Sequence, residues 1–256
     1  MSLTENRFAE NALSINSTSA EIEEGSVVIG NESLKEFLQS LHKDQPDSEI
    51  IFSKRNTVGF TMFQPLFNEV ASLSAFSANF KLFNECGNAP TTGKTFTFTK
   101  GCLVPVSYTA DKVSPAKFAM KLICLWNLGS SISVSAGLGA AVKVLEPYKL
   151  KSVTFAGSEI KSLKSVSTNY GYEEAYPDEL EPEEVWFTKY APNGSVVTED
   201  MEEATVERLT GVEKGTLVVT FENVAEATTV YTYTNVSLSA EVNNAQVTLN
   251  WNKLTD

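Results

Sequence analysis

Apolar and polar residues alternate along most of the chain after Lys94. Phe96 and Phe98 are set between Thr95, Thr97 and Thr99. Phe118, Met120, Leu122, Cys124 and Trp126 share one parity, and Val153/Phe155, Leu217/Val219/Phe221 and Val247/Leu249/Trp251 repeat the pattern. Successive residues of a strand point to opposite faces, so a period of two writes half-buried sheet. The pattern predicts strands at about 95–100, 102–109, 116–126, 131–136, 140–146, 149–157, 214–223, 228–240 and 246–252. Pro105 has no N–H to give to a ladder, so its strand should be an edge or carry a bulge. In 228–240 the apolar parity switches between Tyr231/Tyr233 and Val236/Leu238. A β-bulge near Thr234–Asn235 would restore the register.

The first third reads differently. Residues 1–30 are rich in Ser, Asn and Glu and weakly periodic, which predicts an N-terminal arm with one strand at 26–29. Leu34, Phe37, Leu38 and Leu41 fall at i, i+3, i+4 and i+7, a helical face. Ser33 with Glu36 makes a capping box, Asn31 is a competing cap, and Pro46 follows. Residues 50–63 read as extended. Phe76, Phe80 and Phe83 form a second helical stripe, with Gly87 placed as a left-handed cap. After Gly157 the alternation decays. Residues 166–184 hold Tyr170, Tyr172 and Tyr176 among Glu173, Glu174, Asp178, Glu179, Glu181, Glu183 and Glu184, and Pro177 and Pro182 break any regular element. This predicts a long acidic loop, followed by a short surface helix at 199–207. The expected organisation is an arm over 1–30 and a domain over 31–256 with an acidic insertion at about 166–212. The expected class is mainly β: an antiparallel sandwich or barrel with one or two short flanking helices.

The 256 residues carry a net charge of −12. That balance disfavours nucleic-acid binding by charge neutralisation, which needs clustered Lys and Arg. Cys86, Cys102 and Cys124 are odd in number and lack a C-x-x-C spacing, so they read as buried thiols of a reducing compartment. The N-terminal residues lack an apolar signal core and no window is long enough to span a bilayer, so neither secretion nor a membrane is expected.

Little chemistry is written in the chain. Gly93-Lys94-Thr95 is no phosphate loop: Asn88 stands where the motif needs Gly, and Thr95-Phe96-Thr97-Phe98 opens a strand rather than a helix. His42, the only histidine, sits beside Lys43 and Asp44 at a helix end, where the dipole favours it. The acidic loop has no calcium-loop spacing and reads as a solvated face. No nucleophile–base pair and no cofactor motif can be nominated, so an enzyme is not expected. Tyr170, Tyr172, Tyr176 and Trp186 read as a sugar platform, an inter-ring or partner-contact loop, or packing groups.

Two stretches resemble a known family. Asn79-Phe-Lys-Leu-Phe-Asn-Glu-Cys-Gly-Asn88, a helix ending in Cys-Gly before a Thr-rich strand, resembles the tail tube proteins of long-tailed bacteriophages. Leu125-Trp126-Asn127-Leu128-Gly129, then Ser131 to Ser135, a turn at Gly137/Gly139 and Lys149 to Gly157 are similar to the same family. The resemblance covers about residues 50–160. It implies a β-sandwich with a flanking helix, assembled as stacked hexameric rings around a channel that conducts DNA without binding it. The implied partners are further copies of the chain and other tail proteins, in the virion tail and in the host cytoplasm during assembly. Ser130, Ser133, Ser135, Gly137, Gly139 and Ala141 form a charge-poor stretch read as an intersubunit or lumen-facing hairpin, or as an ordinary internal one. The alternatives are a carbohydrate- or receptor-binding β-sandwich and another capsid or baseplate protein.

Overall fold

A computed structural model describes residues 7–15, 18–20, 22–23, 26–38, 48–73, 76–83, 93–125, 133–136, 146–175 and 184–254. The strands are β1 (Arg7–Ile15), β2 (Thr18–Ala20), β3 (Val28–Leu38), β4 (Ser48–Met62), β5 (Ala71–Leu73), β6 (Phe76–Phe83), β7 (Gly93–Phe98), β8 (Gly101–Asp111), β9 (Lys117–Cys124) and β10 (Ser133–Ala136). They continue with β11 (Lys149–Phe155), β12 (Ser158–Glu159), β13 (Leu163–Asn169), β14 (Tyr172–Ala175), β15 (Trp186–Tyr190), β16 (Asn193–Thr198), β17 (Glu213–Glu222), β18 (Thr228–Asn243) and β19 (Gln246–Lys253). A 3-10 turn at Met201–Glu203 and one helix, α1 (Val206–Leu209), complete the described elements. The fold is mainly β, as the alternation predicts.

A twelve-stranded sheet runs in the order β12-β11-β17-β18-β19-β16-β13-β8-β9-β4-β3, with β5 added beside β8. A five-stranded sheet has the order β10-β7-β6-β1-β2, and β14 pairs with β15 alone. The large sheet folds back on itself. β8 and β17 stand five places apart in its order, which a flat sheet would hold about 24 Å apart. Yet the rings of Tyr108 on β8 and Phe221 on β17 have centroids 5.4 Å apart, and Phe118 on β9 lies 5.2 Å from Phe221. The two halves therefore face each other across one core, in the manner of a sandwich. Near its open side the backbone is tied: Tyr148 N–H donates to Phe63 O, and Ala116 N–H donates to Tyr148 O. Ile15 and Phe98 bring the small sheet into the same core. A second cluster lies on the other side of β8 and β9. There Val104, Ile123 and Leu125 are covered by Tyr172, Val185 and Phe187, on and next to the β14–β15 pair.

Both special strand features occur. Gly215 and Leu217 of β17 pair with Val236 and Tyr233, so Thr234 and Asn235 bulge out, and Asn235 takes φ 54°. The register of β8 against β9 shifts between Pro105 and Ser107. On its other side β8 changes partner from β5, ending at Leu103, to β13, beginning at Ser107, so Pro105 sits at a seam where no ladder needs its N–H.

Three expectations are corrected. The segment 33–38, expected to be helical, belongs to β3, paired along its length with β4, and 76–83 is β6, paired with both β1 and β7. A spacing of four residues satisfies a helical stripe and a strand parity alike, and pairing on a sheet decides between them. The flanking helix implied by the resemblance is thus a strand. Second, much of the expected arm is sheet: β1 pairs with β6, and Ile15 is buried. Third, the expected acidic loop holds β13, the β14–β15 pair and β16, and the expected helix at 199–207 is the 3-10 turn followed by α1. Residue 41, Gly87 and residues 140–145 of the expected strand at 140–146 lie outside the described residues.

Candidate functional site

Among the described residues no group of three or more His, Cys, Asp or Glu is placed to hold a metal ion. Cys102 and Cys124 carry free thiols, each with its pKa pushed up by burial, which disfavours the nucleophilic thiolate. Asp111 is held below the usual carboxylate range, chiefly by the backbone N–H of Ser114, which donates to Oδ1 at 2.5 Å, helped by Val113 N–H at 2.7 Å. It closes a turn and lines open grooves shared with Lys112, Lys117, Lys164 and Glu199. Among the described residues, the depression lined by Asp111, Ser114 and Lys164 and the one lined by Val28, Thr57 and Val106 are troughs open to solvent. His42 and Cys86 lie outside the described residues, and Gly93-Lys94-Thr95 opens strand β7.

The residues singled out by sequence fall apart into different environments. Tyr170 belongs to the core: it is 1% exposed and its hydroxyl donates to Asn68 Oδ1 at 2.8 Å. This corrects its reading as a contact residue. Tyr172 is half-buried, stacked on Tyr190 with centroids 4.8 Å apart. Trp186 stands open, 55% exposed, and Tyr176 is outside the described residues. The acids are also partly used within the fold: Glu174 pairs with Lys121 at 3.0 Å, and Glu173 pairs with Lys189. Of the charge-poor stretch, Ser133 and Ser135 lie exposed on β10, an end strand of the five-stranded sheet, where Ser133 pairs with Thr97. Ser130, Gly137, Gly139 and Ala141 are outside the described residues.

Two surface features stand out once the register is known. The first is an edge. β3, 11 residues long, ends the order of the large sheet and pairs with β4 on one side. No other strand among the described residues pairs with it. The opposite end, β12, is only Ser158–Glu159. A long edge strand presents a row of backbone donors and acceptors to an incoming strand.

The second is a face. On the outside of β8, β13, β16, β19 and β18 the outward residues line up across the strands. One row reads Thr109, Ser167, Ser195, Asn250, Ser239. The next reads Ser107, Asn169, Asn193, Asn252, Ser237. The third reads Asp111, Ser165, Val197, Thr248, Glu241, with its two acids at the two ends. Within the face Ser167 Oγ and Ser195 Oγ are 2.9 Å apart. Ser, Thr and Asn carry no motif signal, and parity alone does not say which strands are neighbours, so this face was not readable from the sequence.

No protein-family model matches the chain, and no curated protein matches it significantly.

Proposed function

We propose that this chain is a structural virion protein, a tail tube subunit of a long-tailed phage that assembles as stacked hexameric rings around a DNA-conducting channel. The observation that supports this best is the open edge of β3, a long strand at the end of a twelve-stranded antiparallel sheet. Ring closure gives such an edge a partner and removes a template for uncontrolled aggregation. β10, in the stretch that resembles the family, is an edge as well. A net charge of −12 suits a channel wall that repels phosphate rather than gripping it.

Negative-stain electron microscopy and mass photometry of the purified protein test this directly. Rings or tubes with an open bore are expected. A monomer at every concentration tried counts against it, and closed shells or plates would favour the capsid or baseplate alternative. The carbohydrate-binding alternative has weaker support, because Tyr170 is in the core and Tyr172 is half-covered.

A further inference from the structure

We propose that the Ser-, Thr- and Asn-rich outer face of β8, β13, β16, β19 and β18 is a surface through which two copies of this chain meet, face to face. Three observations point to a second copy as the occupant. The first is charge. Each molecule carries −12, so contacts made through most of its surface set carboxylates against carboxylates. Two of the three rows on this face hold only Ser, Thr and Asn, and the acids of the third, Asp111 and Glu241, are at its margins. Like-charge repulsion between copies is low here.

The second is the chemistry of the groups. Hydroxyls and primary amides both donate and accept hydrogen bonds, so a surface built from them is complementary to itself. A cationic partner would find few carboxylates here, and an anionic one no row of lysines. The third is size. Five strands and three rows span on the order of 500 Å² per copy, or about 1,000 Å² for a pair, the lower bound for a specific interface. The contact is therefore reversible rather than permanent.

The pairing uses a sheet face, whereas the rings proposed above use sheet edges, so the two can fail separately. The test is sedimentation velocity and mass photometry of the full chain across a concentration series, with Thr109→Glu/Asn252→Glu beside it. Both positions are exposed and on non-adjacent strands, so the fold tolerates them. Below the concentration at which rings form, the wild-type mass is expected to rise from 28.0 kDa toward twice that value with concentration. The Glu variant should associate at least tenfold more weakly at an unchanged melting temperature. Mixing it with Thr109→Lys/Asn252→Lys should restore pairs. Pairing in the Glu variant equal to wild type overturns the proposal. So does a wild-type chain that never pairs, or one that stays monomeric while it is retained on a neutral polysaccharide matrix. Rings that form from the Glu variant while pairing is lost support it, and rings in which this face contacts no second copy, formed without any pairing, overturn it while leaving the ring assembly standing.

Discussion

Gly194, in the middle of β16, shows how closely single positions are specified. A β-carbon there would lie 2.0 Å from Ser167 O and 2.9 Å from Trp251 Nε1. The first neighbour is backbone in a paired strand and the second is a fully buried indole, so neither can move aside. Gly194→Ala is expected to lower stability by about 3 kcal/mol in urea unfolding, the upper range for overpacking. Gly59 on β4 is the control: an added β-carbon meets nothing within 4 Å. Gly59→Ala should be neutral or stabilising by up to about 1 kcal/mol. The β18–β19 turn gives the opposite case. Asn244 and Ala245 take φ 48° and 59° there, a left-handed pair that favours glycine at the second position. Ala245→Gly should therefore raise stability by about 1 kcal/mol, seen as a higher melting temperature. At this scale the sequence is informative where parity is regular: the inward residues of β9, β17 and β19 are those the alternation names, and the bulge at Asn235 shows as a change of parity. The demand for glycine at 194 comes from a neighbouring strand, β13, whose identity parity cannot reveal.

At the scale of elements, α1 is too short to hold itself and depends on one side chain. Thr205 caps it by accepting from Arg208 N–H, and the Arg208 side chain turns inward. Its Nε donates to Glu213 at 2.6 Å, a second nitrogen pairs with Glu203, and the guanidinium lies 5.9 Å from the centre of the Phe155 ring. Arg208 is 8% exposed, so removing it leaves two carboxylates facing each other with little water. Arg208→Ala is expected to cost about 3 kcal/mol, as for a broken buried ion pair. Adding Glu203→Gln and Glu213→Gln should recover much of that loss, because the stranded charges go with it. Unfolding curves of the two variants measure the difference, and equal losses would mean that packing on Phe155 dominates. Elements are legible where a strand is long and flanked by turns, at 95–124, at 149–155 and again after 213. They were misread where four-residue apolar spacings fit both periods, at 34–38 and 76–80. They were also missed where acids and tyrosines mask a short pair of strands, as in β14 and β15, which are held by cross-strand contacts such as Glu173 with Lys189.

Across the whole molecule, the folded-back sheet gathers tyrosines that the sequence scatters over more than a hundred positions. Tyr108, Tyr170, Tyr231 and Tyr233 are all buried, and the Tyr233 hydroxyl lies 3.5 Å from that of Tyr108. Strand order is what brings them together, and alternation does not encode it, so the sequence alone puts Tyr170 in a surface loop. The cluster has a consequence for pH. Burial pushes Tyr108 up to about 12, and it also raises Tyr170, Tyr231 and Tyr233. In the unfolded chain each phenol has its ordinary value near 10. Below about pH 10 both states keep the protons and stability does not depend on these groups. Above it the unfolded chain gives up protons that the folded core retains, so stability falls with rising pH. Between about pH 10 and 12 the protein is expected to unfold cooperatively, with tyrosinate absorbance at 295 nm rising in step with the loss of sheet circular dichroism. Tyr108→Phe takes one titrating group out of the core and should flatten the fall by about 1.4 kcal/mol per pH unit within that window. The chain has eight tyrosines, so tyrosinate absorbance that climbed beyond the share of the other four while the sheet signal held would place these phenols in contact with water, and the two halves of the sheet could not then close on them as described.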